Sequence, residues 1–248
     1  MIIVDNYLLL VNTKEFSSKI TKYFYDRLQL FLSITDKNCP KIIFTQSKSV
    51  LEKAYGKYYL EGEPSRAFYD DESETIFFNA EKYRLNSEKL YINKKDIEHI
   101  INTYQFKYII PLSDIYHEMI HHLQYYYSDY KYTDFIEAIA DIYSYCITGQ
   151  WNIDYLNESI GFYRVCTEIL EVKPTEFYVM LRDAIIDKNF FKNYFYDNRR
   201  FVYLLGKNYN GKLGTFLHNF KKDYGNREYE NNFYMYIKRI HDLIFYKY

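Results

Sequence analysis

The chain has 248 residues, 48 % of them hydrophobic, which is enough material for one large domain or two small ones with a core. Its 32 basic and 33 acidic residues leave a formal charge of −1, so no global field draws in nucleic acid or an anionic membrane, and neither is expected as a partner. Gly and Pro number only 8 and 4 against 32 Tyr and 19 Phe, a balance that predicts a helix-rich body with short loops. The tyrosine excess reads as codon usage and carries no functional weight.

Met1 to Asn6 shows no basic leader or small-residue cleavage site, and no stretch of about twenty apolar residues occurs, which predicts a cytoplasmic protein without a membrane span. Cys39, Cys146 and Cys166 are widely spaced and form no Cys-x-x-Cys pair, so they read as reduced, mostly buried thiols.

In chain order, the pattern predicts a strand from Ile2 to Val11, an amphipathic helix from about Lys14 to Leu32, a strand at Lys41 to Thr45 and a short helix near Ser47 to Ala54. Ala67 to Asn79 holds two β-prone runs around an acidic turn and reads as a hairpin finishing a small mixed sheet. From Lys94 onward strand signals disappear. Helices are predicted at Lys94 to Phe106, Ser113 to Tyr127, Thr133 to Ile147, Leu156 to Val172, Pro174 to Ile186, Arg199 to Asn208, Leu213 to Tyr224 and Asn231 to Phe245. A soft boundary near Gly149 to Asn152 separates an α+β region, 1–150, from a helical region, 151–248, that completes a cleft.

The chemistry concentrates in Ser113 to Leu123. Ser113 is suited to cap a helix after Pro111, and Ile115, Met119, Ile120 and Leu123 are apolar positions that bury it. His117 and His121 then lie on one face, since four residues are slightly more than one turn, and two imidazoles so placed can share a metal about 2 Å from each. Glu118, one residue further round, stands beside the water that such a metal activates, the position of a general base.

A catalytic zinc needs three protein ligands and an open position. The helix opening at Thr133 supplies Glu137 as the third ligand. Asp141 follows one turn on, on the same face, where it can accept a hydrogen bond from the outer nitrogen of a ligand histidine, His117 being the first choice. Ala138 and Ala140 keep that helix slim enough for close packing.

His117-Glu118-x-x-His121 followed by Glu137-Ala138-Ile139-Ala140-Asp141 resembles the gluzincin, or thermolysin-like, metallopeptidases. The resemblance covers about Ser113 to Ile142. It implies a zincin-like α+β fold and a zinc peptidase with His117, His121 and Glu137 as ligands, Glu118 as base and Asp141 supporting them. The segment between the two motifs is shorter than in thermolysin itself, which implies a reduced relative.

Two further features extend the likeness. Glu74 to Asn79 has the placement of the sheet-edge strand against which an extended substrate lies. Tyr203-Leu204-Leu205-Gly206-Lys207 looks like the region in gluzincin aminopeptidases whose tyrosine steadies the tetrahedral intermediate, so Tyr203 is the first candidate for the oxyanion, with His218 and Arg164 behind it. His122 is turned away on the helix and reads as a surface group or a support to the ligands, not a fourth ligand; Arg199 and Arg200 read as solvated or salt-bridged; and the tyrosine-rich tail, Tyr234 to Tyr248, reads as core packing in preference to a plug in the cleft.

The sequence thus predicts a Zn²⁺ metallopeptidase acting on a peptide or protein substrate. The alternative is a regulatory or interaction protein that keeps a structural or sensing zinc site without turnover.

Overall fold

In the computed structural model, residues 1–56, 66–85, 101, 105–128, 133–150, 156–209 and 227–245 are described. The expected helix at Leu213 to Tyr224, His218, and most of the one at Lys94 to Phe106 lie outside them. The protein is α+β, with small sheets and mostly helical content, and it divides into two compact units, Met1–His122 and Leu123–Tyr248. Among the described residues no helix is long and apolar enough to cross a membrane.

Among the described residues the first unit contains two three-stranded sheets, where the sequence suggested one. The predicted strand from Ile2 to Val11 is a hairpin: β1 (Ile2–Val4) and β2 (Tyr7–Leu10) pair antiparallel, with Val4 opposite Tyr7. Asp5, at φ 49°, takes the left-handed conformation that a two-residue reversal requires and that Asp tolerates better than most residues. β2 also pairs with β6 (Tyr108–Pro111), a strand that the sequence reading passed over. Four apolar residues are too few for a period, and only pairing with the wholly buried Leu8, Leu9 and Leu10 makes them a strand.

The second sheet has the order β3 (Lys41–Thr45), β5 (Thr75–Asn79), β4 (Ala67–Asp70). β3 runs parallel to β5, and β4 and β5 form the expected hairpin. β5 is therefore the central strand, with every residue buried and both edges paired. This corrects the expectation that Glu74 to Asn79 offers an edge to a substrate, because its backbone groups are already used on both sides.

The helix expected from Lys14 begins as a short 3₁₀ turn, Thr13–Glu15, breaks at the extended Ser17, and becomes α1 (Ser18–Leu32). Its apolar stripe, Phe24, Leu28 and Leu32 among others, is buried. α2 (Lys48–Tyr55) contributes Leu51, which packs with Phe68 and Phe77 of the mixed sheet.

α3 (Leu112–Tyr127) follows β6 without a loop, and the Leu112 backbone N–H donates to the carbonyl of Asn6 at 2.9 Å in the β1–β2 turn. The helix thus starts one residue before Ser113, which lies inside the first turn and is not its cap.

In the second unit, α4 (Thr133–Thr148), α5 (Leu156–Arg164), α6 (Pro174–Ile186), α7 (Arg199–Tyr209) and α8 (Arg227–Phe245) pack with two π-helical turns, Val165–Ile169 and Lys192–Tyr196. Pro174 opens α6 at the position where its missing N–H costs nothing. Phenylalanine rings form the core: Phe135 at the start of α4 lies 5.2 Å from Phe162, 5.8 Å from Phe191 and 4.9 Å from Phe195, centroid to centroid. Phe233, Ile237 and Ile240 of α8 are buried, so this part of the tail does pack as core. All three cysteines are free; Cys146 and Cys166 are buried and Cys39 is exposed.

Candidate metal centre

α3 is buried on every side from Leu112 to Gln124, although Ser113, Asp114, His117, Glu118, His121, His122 and Gln124 are polar. Burying that many polar groups is costly unless each finds a partner, so the partners reveal what each is for.

Asp114 is held by protein. Its Oδ2 accepts a 2.7 Å hydrogen bond from the hydroxyl of Tyr83, and Arg66 Nη2 lies 3.4 Å from the same carboxylate. Tyr83 is fully buried, and burial followed by the Asp114 charge holds its phenol well above the ordinary value. The charge of Glu118 acts in the same direction, which puts that carboxylate in the same electrostatic neighbourhood. His122 is likewise committed to structure: Nε2 bonds the Asn38 carbonyl, Nδ1 lies 3.2 Å from the Tyr69 hydroxyl, and the rings of Tyr25 and Tyr69 meet it edge-on. Since a carbonyl only accepts, Nε2 carries the proton and Nδ1 accepts from Tyr69. Burial lowers its pKa. His122 is turned away from its neighbour His121, but it is a buried tether and not a surface group.

His117 and His121 are different, because they face each other. Their rings are nearly perpendicular, at 86°, and their Nε2 atoms lie 3.0 Å apart. Glu137 completes the group: one ligand atom from each of the three lies within 4.8 Å of the others. From Phe135 to Thr148, Glu137 is the only α4 residue that is half-buried and not buried.

The donor set fits a zinc ion. Two atoms each about 2.1 Å from a tetrahedral zinc stand about 3.4 Å apart, close to the separation of the two imidazole nitrogens. Two imidazoles and one carboxylate also match the open three-ligand set that leaves a fourth position for water or substrate.

Two contacts lie beside Glu137 in the chain. Phe135, two residues earlier, is locked into the phenylalanine core. Gln124, on α3 three residues after His121, donates from Nε2 to the carbonyl of Ile136 at 3.2 Å. Sequence reasoning missed Gln124. Its one signal was an amide among apolar residues on the face one turn beyond a ligand.

The remaining expected residues fall as follows. Glu118 is 7 % exposed and Asp141 is fully buried, one turn beyond Glu137 on α4. Tyr203 is 62 % exposed on α7, with the Lys207 ammonium 5.6 Å above its ring. Arg164, a further candidate for the oxyanion, is 2 % exposed and forms a two-pronged ion pair with Glu168 at 2.9 and 3.0 Å. Arg200 pairs with Glu171 at the surface.

No protein-family model, curated protein or solved structure matches this chain.

Proposed function

We propose that the protein is a zinc-dependent metallopeptidase of the gluzincin type, with a zincin-like fold, that hydrolyses peptide bonds in a peptide or protein substrate. The observation that carries this reading is the convergence of His117, His121 and Glu137 ligand atoms within 4.8 Å, next in sequence to the buried carboxylate Glu118.

His117 and His121 would hold the metal through Nε2, with Glu137 as the carboxylate ligand. When bound, zinc would supply Lewis acidity toward a scissile carbonyl and lower the pKa of a water molecule. Glu118 takes the proton of the attacking water and delivers it to the leaving nitrogen, so one carboxylate serves as base and then as acid. Burial supports that role, since an acceptor shielded from bulk solvent meets its proton at higher effective strength. Asp141 orients a ligand imidazole, for which His117 remains the candidate. Tyr203 is the candidate oxyanion donor, its exposure leaving the hydroxyl accessible to a ligand.

The test measures zinc content of the purified chain and its cleavage of a quenched fluorescent peptide library, beside Glu118→Gln. Zinc retained by both proteins and cleavage only by the wild type is expected. A chain that binds no zinc at micromolar concentration overturns the reading. Zinc held without cleavage by either protein favours the non-catalytic alternative instead.

A further inference from the structure

We infer that Gln124 is a positioning residue for the third metal ligand, acting on Glu137 through the backbone of Ile136. The inference rests on the metal-site reading above but not on peptide cleavage.

Gln124 is fully buried, and an amide in that position is retained only where its hydrogen bonds are made. Its Nε2 donates to Ile136 O at 3.2 Å. Within a helix that carbonyl already accepts from the N–H four residues on, so Gln124 takes its second lone pair. Ile136 O and the backbone nitrogen of Glu137 belong to one rigid peptide plane. Holding the oxygen therefore fixes the height and rotation of α4 at the residue that carries the carboxylate.

The other end of the bond is equally placed. Gln124 lies three residues after His121 on the unbroken helix α3, so the residue that grips the Glu137 peptide is borne by the same rod as both histidines. Ser128 closes the next turn, its hydroxyl donating to the carbonyl of Gln124 at 2.9 Å, which stiffens the helix beyond the amide. A histidine pair four residues apart needs only helix geometry to converge, but a carboxylate on another helix needs a register. Gln124 supplies it.

A residue that only fills the core would be replaced by methionine without harm to the site, because Gln and Met have similar length and volume. The experiment therefore compares Gln124→Met, Gln124→Glu and the wild type, reading zinc affinity by competition with a chromophoric chelator and thermal unfolding with and without zinc. Gln124→Met is expected to weaken zinc binding about tenfold, the lower end of the range for groups that support metal ligands. Gln124→Glu, which has no amide donor, is expected to do at least as much. Zinc should raise Tm less in both variants than in the wild type, by the amount that the affinity ratio dictates. Unchanged zinc affinity in Gln124→Met, with the metal-free protein merely less stable, overturns the positioning role and leaves the metal site standing. A wild type that binds no zinc removes both. If Gln124→Met does not fold, Gln124→Asn, which keeps the amide but shortens its reach, decides by the same affinity measurement: wild-type affinity there counts against the role.

Discussion

The Tyr83 hydroxyl donates to Asp114 at 2.7 Å, joining the 3₁₀ turn after β5 to the first turn of the helix that carries both histidines. Removing it in Tyr83→Phe leaves Asp114 with one donor fewer, and the loss of a buried hydrogen bond to a charged group costs about 2 kcal/mol. The pH dependence has a definite sign. The folded phenol is raised well above its usual value, by burial first and Asp114 second, so the folded chain keeps a proton that the unfolded chain releases near pH ~10. The contribution is complete below that pH and is lost as pH rises toward the folded value. Urea unfolding at neutral and alkaline pH checks both statements, and equal alkaline slopes in wild type and Tyr83→Phe would contradict the second.

Chelation should act as a stability change and not only as inhibition. With zinc at about 100 times its Kd, the native state gains about 2.7 kcal/mol, which a chelator removes. His117→Ala and His121→Ala, each lacking a ligand, are expected to melt at the same temperature with and without the chelator. A chelator-sensitive Tm in either variant would argue that the metal sits elsewhere.

Tyr203 is decided by one atom. Loss of an oxyanion donor typically lowers kcat by about 10² to 10³ with little change in KM. Tyr203→Phe keeps the ring under Lys207 and deletes only the hydroxyl. A fall of that size on the peptide library keeps Tyr203 in the reaction, and an unchanged kcat removes it.

Arg164 should matter to folding alone. Its guanidinium is 3 % exposed and depends on the Glu168 carboxylate, so Glu168→Gln leaves a buried charge poorly matched. Deleting one partner of a buried pair costs about 3 kcal/mol or more; because Glu168 is 31 % exposed, the lower end is expected. Thermal unfolding reports it. Zinc content per folded molecule should not change.

Gly149 ends α4 in the left-handed conformation, at φ +70°, and a Cβ there would stand 3.1 Å from the ring of His241. His241 in turn holds the Cys146 carbonyl through Nδ1 at 3.1 Å. Gly149→Ala therefore combines backbone strain of about 1 kcal/mol with displacement of that ring, and a loss of about 2 kcal/mol in urea unfolding is expected. His241→Ala in the same background should recover part of it, because the methyl then has room.

The sequence alone determined whatever depends on neighbours within a turn or two. Lys41–Thr45 as a strand, Pro174–Ile186 as a helix and the shared face of His117 and His121 follow from side-chain period, a proline's missing N–H and 3.6 residues per turn. Glu137 as a candidate third ligand likewise follows from a helix one short loop further on, and a ligand atom of its side chain lies within 4.8 Å of those of the two imidazoles. Tertiary structure decided what depends on residues far apart in the chain. β5 lost its free edge only because β3 pairs with it, and Tyr108–Pro111 became a strand only because β2 lies beside it. His122 was joined to Asn38, 84 positions away, and Asp114 to Tyr83, 31 positions away. No period in a sequence encodes such pairs. Buried polar groups take whichever partner the fold brings within about 3 Å, so His122 became a tether while its neighbour His121 came to face His117 and Glu137.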